Sequence, residues 1–295
     1  MDRLVPDAIY DVPGAPDWLA IGEQAWVSNK PKDSVSRLDP KSTTATTFAV
    51  GKRPCSGLAI GFESLWVPNC GDQTTPSSVA RVDLKSGQVT ATFQIGIANT
   101  EGGLAIGASS VWMLTDTRGT LVRIDPATNA PVAQIRVPAV AYTVAFGEGA
   151  VWVTNTDANT VTRIDPATNL VTDTIAVGKT PRFLAVGEGS VWTLNQGDGS
   201  VSRIDAKTKK VVATIEVGVP GPGGDIAVGE GSVWVTAIDI PISRIDPSTN
   251  RVAQQFVGKG GDAIRVGLGF VWLSMLEQGK VWRLDPKRIE ATLSY

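Results

Sequence analysis

The sequence predicts an all-β chain: a seven-bladed β-propeller with four antiparallel strands per blade. Two periodic features and one local pattern carry that expectation. Trp recurs at 26, 66, 112, 152, 192, 234 and 272, at steps of 40, 46, 40, 40, 42 and 38 residues. An Arg-apolar-Asp triplet follows each of them: Arg37/Asp39, Arg81/Asp83, Arg123/Asp125, Arg163/Asp165, Arg203/Asp205, Arg244/Asp246 and Arg283/Asp285. Seven copies of a unit of about 42 residues fill the 295-residue chain. Propeller blades have that period, and so do some helical repeats. The pattern inside a copy decides between them.

The copy from Tyr142 to Gly178 shows each element in order. Thr143-Val144-Ala145-Phe146 is the first strand, ended by Gly147-Glu148-Gly149. Val151-Trp152-Val153-Thr154 is the second, and the polar stretch Asn155 to Asn159 leads to the third, Val161-Thr162-Arg163-Ile164. Asp165-Pro166-Ala167-Thr168-Asn169 turns the chain into the fourth, Val171 to Val177. Runs this short, rich in β-branched residues and bounded by Gly, Pro, Asp and Asn, are strands and turns. No segment keeps a helical period for three turns. At the ends, Ala8 to Val12 and Ile289 to Tyr295 both read as outer strands, and one of them must complete the last blade. We expect the N-terminal strand to lock against that blade, within a single domain spanning 1–295. Closure by terminal strands leaves few exposed sheet edges.

Residues present in every copy are first of all requirements of the fold. The Trp suits the contact between neighbouring blades, and the Arg-apolar-Asp pair suits a charge-assisted hold on the following turn. Glu23, Glu148, Glu188 and Glu230 fall in first turns and read as solvated.

Composition removes whole classes of function. Apolar residues are 42% and charged ones 19%, enough for a substantial core. Lys plus Arg is 27 against 29 for Asp plus Glu, so there is no basic excess for nucleic acid or an anionic membrane. No apolar run is long enough to span a bilayer, and a monomer is expected. The chain has no histidine, which excludes an imidazole base, an imidazole metal ligand and any Ser/His or Cys/His pair.

The two cysteines break the repeat. Cys55 precedes the first strand of the second blade and Cys70 follows its second strand, so antiparallel pairing brings them to one rim. A disulfide there implies an oxidising compartment, while reduced thiols are the alternative. With no apolar stretch after Met1, the expectation is the mature form of a periplasmic or secreted protein.

Positions that vary between copies are free of the fold, and they point to a site. First strands start on Asp17-Trp18, Cys55-Ser56, Glu101-Gly102, Tyr142-Thr143, Arg182-Phe183, Gly224-Asp225 and Asp262-Ala263. Second strands end on Asn29-Lys30, Asn69-Cys70, Thr115-Asp116, Asn155-Thr156, Asn195-Gln196, Ala237-Ile238 and Met275-Leu276. In a propeller these ends share one face around the central channel, where loops on a rigid scaffold carry function. The candidate ligand-binding set is therefore Asp17, Trp18, Asn29, Ser56, Asn69, Glu101, Asp116, Tyr142, Asn155, Arg182, Phe183, Asn195, Asp225 and Asp262. Aromatic walls with a few convergent polar groups suit a small molecule or a peptide. The Asn residues have two readings, ligand contact or turn chemistry. Close carboxylates would hold Mg²⁺ or Ca²⁺, or share a proton.

The lines from Pro181 to Asn195, with Ser202-Arg203-Ile204-Asp205 after them, resemble the virginiamycin B lyase-like propellers and related Tyr-Val-Thr-Asn repeat propellers; the form here is Trp-Val-Thr-Asn, at Trp152 to Asn155. The resemblance covers the whole chain and implies seven blades with any ligand on the loop face. It also implies an elimination that uses Mg²⁺ and a histidine base, which a chain without histidine does not perform. Two expectations follow. The first is a non-catalytic exported propeller that binds a small molecule or peptide. The alternative is a metal-assisted lyase or hydrolase with its ion among Glu101, Asp116, Asp225 and Asp262, and Arg182 steadying developing negative charge.

Overall fold

The structure is a computed structural model that describes residues 2–218, 223–237, 242–258 and 261–290. It is an all-β, seven-bladed propeller with four antiparallel strands in each blade. Blade 4 shows the pattern: Ala141–Gly147, Ala150–Asn155, Thr160–Asp165 and Leu170–Ala176 pair in chain order. The chain divides into two compact units. Blades 2 to 5 lie in Val50–Gly221, and blades 1, 6 and 7 in Met1–Ala49 with Pro222–Tyr295.

Two local devices build the hairpins. In blades 2 to 7 the first and second strands are joined by two residues with positive φ, such as Glu148 (50°) with Gly149 (72°), the twist that suits adjacent antiparallel strands. Third and fourth strands are joined by the Asp-led turns. Asp165 accepts a hydrogen bond from the Ala167 amide at 2.8 Å, and the turn ends on left-handed Asn169. Backbone and side-chain hydrogen bonds inside these turns hold the carboxyls of Asp39, Asp83, Asp165, Asp205 and Asp246 below the ordinary carboxylate range.

The repeated Trp forms the floor between blades. All seven are fully buried. Trp66 packs with Leu104 and Val111 of the next blade, and Trp152 with Leu184 and Val191. In blades 2 and 3 the repeated Arg holds the turn of the next blade, not the Asp of its own triplet. Arg123 stacks over Trp112 at 5.1 Å and reaches into blade 4, donating to the Pro166 carbonyl at 2.8 Å and Asn169 Oδ1 at 3.1 Å. Arg81 makes the same reach to Pro126 and Asn129. The glycine ending the first strand is required by close approach, because a Cβ on Gly147 would come within 2.5 Å of Val186.

The last blade takes its outer strand from the N-terminus. Ala8–Asp11 pairs antiparallel with Lys280–Leu284, and Tyr10 is buried against Trp272. The alternative outer strand from Ile289 is not one over the described residues: Pro286–Glu290 is a short helix whose Ile289 side chain is buried with Trp234 and Phe256, and 291–295 lie outside them. Asp2–Arg3 adds to blade 6 as a parallel fifth strand on Arg251–Val257.

Candidate functional site

The first strands of blades 1, 4, 5 and 7 start on a bulge. Register shifts between Pro16 and Leu19, Ala141 and Val144, Pro181 and Phe183, and Gly261 and Ile264. A bulge places two successive side chains where regular pairing would place one, and so re-aims them. In blades 4, 5 and 7 it decides which residue of the varied pair is presented. Tyr142, Arg182 and Asp262 are half-buried, whereas their neighbours Thr143, Phe183 and Ala263 are buried. In blade 1 both Asp17 and Trp18 are buried, with Lys30 paired to the Asp17 carboxylate.

Blades 3, 4 and 5 bring three candidates into one network. Tyr142 donates its hydroxyl to Glu101 Oε2 at 3.2 Å, and Arg182 Nη2 lies 3.2 Å from the same oxygen. Arg182 also donates to the Tyr142 hydroxyl, and through Nη1 to Gln196 Oε1 at 3.3 Å. Its guanidinium lies over the Tyr142 ring at 4.6 Å and the Phe183 ring at 5.7 Å, and the two rings meet edge to face at 5.9 Å. Burial, seconded by the Glu101 charge, pushes the Tyr142 hydroxyl up to about 12, so it stays a neutral donor across physiological pH. Thr143 pins the backbone beneath, donating to the Glu101 and Arg182 carbonyls at 3.0 and 2.8 Å.

In the other unit, Asp225 is buried and accepts hydrogen bonds from the Ile226 amide at 2.8 Å and the Ile264 amide at 3.2 Å, and a contact from Arg265. Burial pushes its carboxyl up while Arg265 pulls it down, and burial prevails. Arg265 lies 5.7 Å from the centre of the Trp18 ring. The Asp262 carbonyl accepts the Thr236 hydroxyl at 2.5 Å.

The remaining candidates are built into the blades. Asn29, Asn69, Asn155 and Asn195 are buried and hydrogen-bond within the protein. Asn155 Oδ1 accepts from Thr162 at 2.7 Å, and Asn195 Nδ2 donates to Ser200 and Ser202 at 3.0 and 2.9 Å. Of the two Asn readings, this geometry favours the structural one. Ser56 is buried and donates to the Ala98 carbonyl at 2.9 Å. Cys55 and Cys70 form a disulfide with Cα atoms 5.9 Å apart. Asp116 closes its own turn through Thr120 and Arg118. Burial raises its carboxyl, but those hydrogen bonds outweigh burial and hold it low. Ile238 lies outside the described residues.

Three of the carboxylates proposed for an ion are each taken by a cation of the chain. Glu101 is held by Arg182, Asp225 by Arg265 and Asp116 by Arg118. Among the described residues no three acidic or cysteine side chains come together as a cation site. Nor is any helix among them long and apolar enough to cross a membrane. Gln196, Lys30 and Arg265 join the networks from outside the candidate ligand-binding set, Lys30 and Gln196 from the varied second-strand ends. Arg265 was visible as the one Arg at a position that is Ala in the other six copies.

No protein-family model and no curated protein matches the sequence. Solved propellers match the fold. A chain of the mitotic checkpoint complex superposes with a TM-score of 0.76 at 12% identity, covering 95% of this chain and 94% of that one. BamB from Moraxella catarrhalis gives 0.65 at 14% identity, covering 97% and 94%. Hydrazine synthase from Kuenenia stuttgartiensis gives 0.51 at 14%, covering 58% of this chain and 54% of that one, so the match spans about half the length of that relative. At these identities the likeness is one of fold.

Proposed function

We propose that the chain is an exported binding propeller that holds a small molecule or a peptide segment on its loop face, without imidazole chemistry. The observation that carries this reading is the Glu101–Tyr142–Arg182 network. Three successive blades carry different residues at the approach to the first strand, and their side chains join into a half-buried aromatic and polar patch. The repeat alone would not need three different residues there, so function is the better account of them. Packing and hydrogen bonds fix the patch before any ligand arrives, which lowers the ordering cost of binding. The disulfide supports a periplasmic or secreted location. One propeller it resembles in fold is part of a named assembly, the mitotic checkpoint complex, which supports a binding role. The repeat lines also support a place among the virginiamycin B lyase-like propellers, as a relative lacking that chemistry.

The test is a thermal-shift screen of small-molecule and peptide libraries on the wild type, Arg182→Ala and Tyr142→Phe. Trp18 and Phe183 are poor probes, because both are buried and their removal would disturb packing. Compounds that raise the wild-type Tm should lose that effect in Arg182→Ala, while the unliganded Tm values stay close. Equal stabilisation of all three proteins refutes the placement.

A further inference from the structure

A second departure from the repeat lies in the unit that holds blades 1, 6 and 7, and nothing in it depends on the Glu101–Tyr142–Arg182 reading. One position of the first strand is Ala in six copies, at Ala20, Ala59, Ala105, Ala145, Ala185 and Ala227, and Arg265 in the seventh. Two residues before it stand Trp18, Gly57, Gly103, Thr143, Phe183, Asp225 and Ala263. The structure joins three of these oddities: Arg265 pairs with Asp225 of blade 6 and stacks on Trp18 of blade 1.

The fold does not need this arrangement. Ala serves the same position in every other blade, and replacing a buried ion pair by apolar residues often costs nothing. What sets the trio apart is what it leaves open. Nη1 alone takes both protein acceptors of Arg265, the Asp225 carboxylate and the Ile264 carbonyl at 2.6 Å. The Nε–Nη2 edge has no acceptor among the described residues, and the side chain is 31% exposed. Asp225 is in turn fixed by two backbone amides, so the guanidinium is oriented beforehand. A planar fork with one free edge matches a carboxylate bidentately. Asp225 already neutralises part of the charge and Asp17 lies beside Trp18, which disfavours a dianionic phosphate relative to a monoanion.

We propose that Arg265, oriented by Asp225 and backed by Trp18, is a binding residue for a carboxylate group, taken side-on by Nε and Nη2. The carboxylate belongs to a small organic acid or to a peptide C-terminus. The test follows the ¹H–¹⁵N signal of the Arg265 Nε–H group, assigned by its loss in Arg265→Lys. Benzoate, a short peptide with a free C-terminus and the same peptide amidated are titrated at constant ionic strength. The expected result is a saturable shift with one or both acids and none with the amide. A response to the peptide acid alone identifies a C-terminus as the source, and a response to benzoate identifies a small acid. Affinity, followed by the perturbation of neighbouring amides, should fall at least tenfold in Arg265→Lys, which keeps the charge but loses the fork. The double variant Arg265→Ala/Asp225→Thr, carrying the residues found at Ala145 and Thr143, should melt within a few degrees of the wild type and bind neither acid. Silence with both acids, an equal response to the amide, or undiminished binding by Arg265→Lys would overturn the proposal. So would failure of the double variant to fold, because the pair would then serve the fold.

Discussion

Blade 2 lacks a hydroxyl that its sister blades place beside the buried Asn ending the second strand, and Ala80→Ser should supply it. Cross-strand register puts Ala80 opposite Val67, as Thr162 stands opposite Val153 and Ser202 opposite Thr193. In blade 4 the Thr162 hydroxyl donates to Asn155 Oδ1 at 2.7 Å. In blade 2 the Asn69 amide nitrogen donates to the Val50 and Val67 carbonyls, but Asn69 Oδ1, in a side chain 1% exposed, has no partner among the described residues. An unsatisfied buried carbonyl costs roughly 1–3 kcal/mol, and a new hydrogen bond nets about 1 kcal/mol. Part of that gain goes to burying the Ser hydroxyl, which leaves about 1 kcal/mol of stabilisation. At this chain length that corresponds to about 2 °C in Tm. The converse change, Thr162→Val, keeps the shape and removes the donor from Asn155, and should lose roughly 1–3 kcal/mol. Melting followed by Trp fluorescence reads both variants in one experiment. If Ala80→Ser lowers the Tm while Thr162→Val leaves it unchanged, the buried Asn residues are not held by a hydroxyl ladder, and their ligand-contact reading returns.

Three further predictions test other joints. Asp173 lies 3.7 Å from Arg163 and 3.4 Å from Lys209, with Lys209 replacing the Asn that receives the Arg in earlier blades. Asp173→Ala should lower stability by about 0.5–1 kcal/mol, given partial exposure, and Lys209→Asn should recover most of it in a double-mutant cycle. Removing both cysteines opens a loop of 15 residues, for which chain entropy gives about 3 kcal/mol. The circular dichroism of the β fold should persist, because backbone bonds Cys55 to Pro68 and Cys70 to Arg53 already join the same two segments; loss of the fold on substitution would refute this. Alkylation of unreduced wild type should add no mass. Finally, the turn carboxyls with lowered pKa favour the folded state when ionised. Their contribution is present above the ordinary carboxylate range and is lost as pH falls through the lowered values. The Tm should therefore drop in acid, and Asp205→Asn should flatten that drop; an unchanged pH profile would show that the turn bonds do not respond to ionisation.

The blade count was legible because a repeat states it seven times, and every copy of the Trp has the same job. The site was legible only as difference, and the structure shows why. In blades 1, 4, 5 and 7 the varied pair falls at a bulge at the strand start, and a bulge cancels the period of two that lets a strand's faces be read. Trp18 and Phe183 were therefore expected on the rim and are buried, while Arg182 and Tyr142 are half-buried. The joining of Glu101, Tyr142 and Arg182 crosses three blades. It depends on how neighbouring first strands are offset, and no spacing within one copy encodes that. The buried Asn residues were readable in part, since in three of the four blades that carry one a hydroxyl, Ser36, Thr162 or Ser202, occupies the same register position. Arg265 was readable too, and by a stricter rule than charge or aromaticity. Six sister blades already show what the fold accepts at its position. An Arg that replaces six alanines, with an Asp buried beside it, departs from that solution at a cost in desolvation, and such a departure is better evidence of a site than any single residue type on the rim.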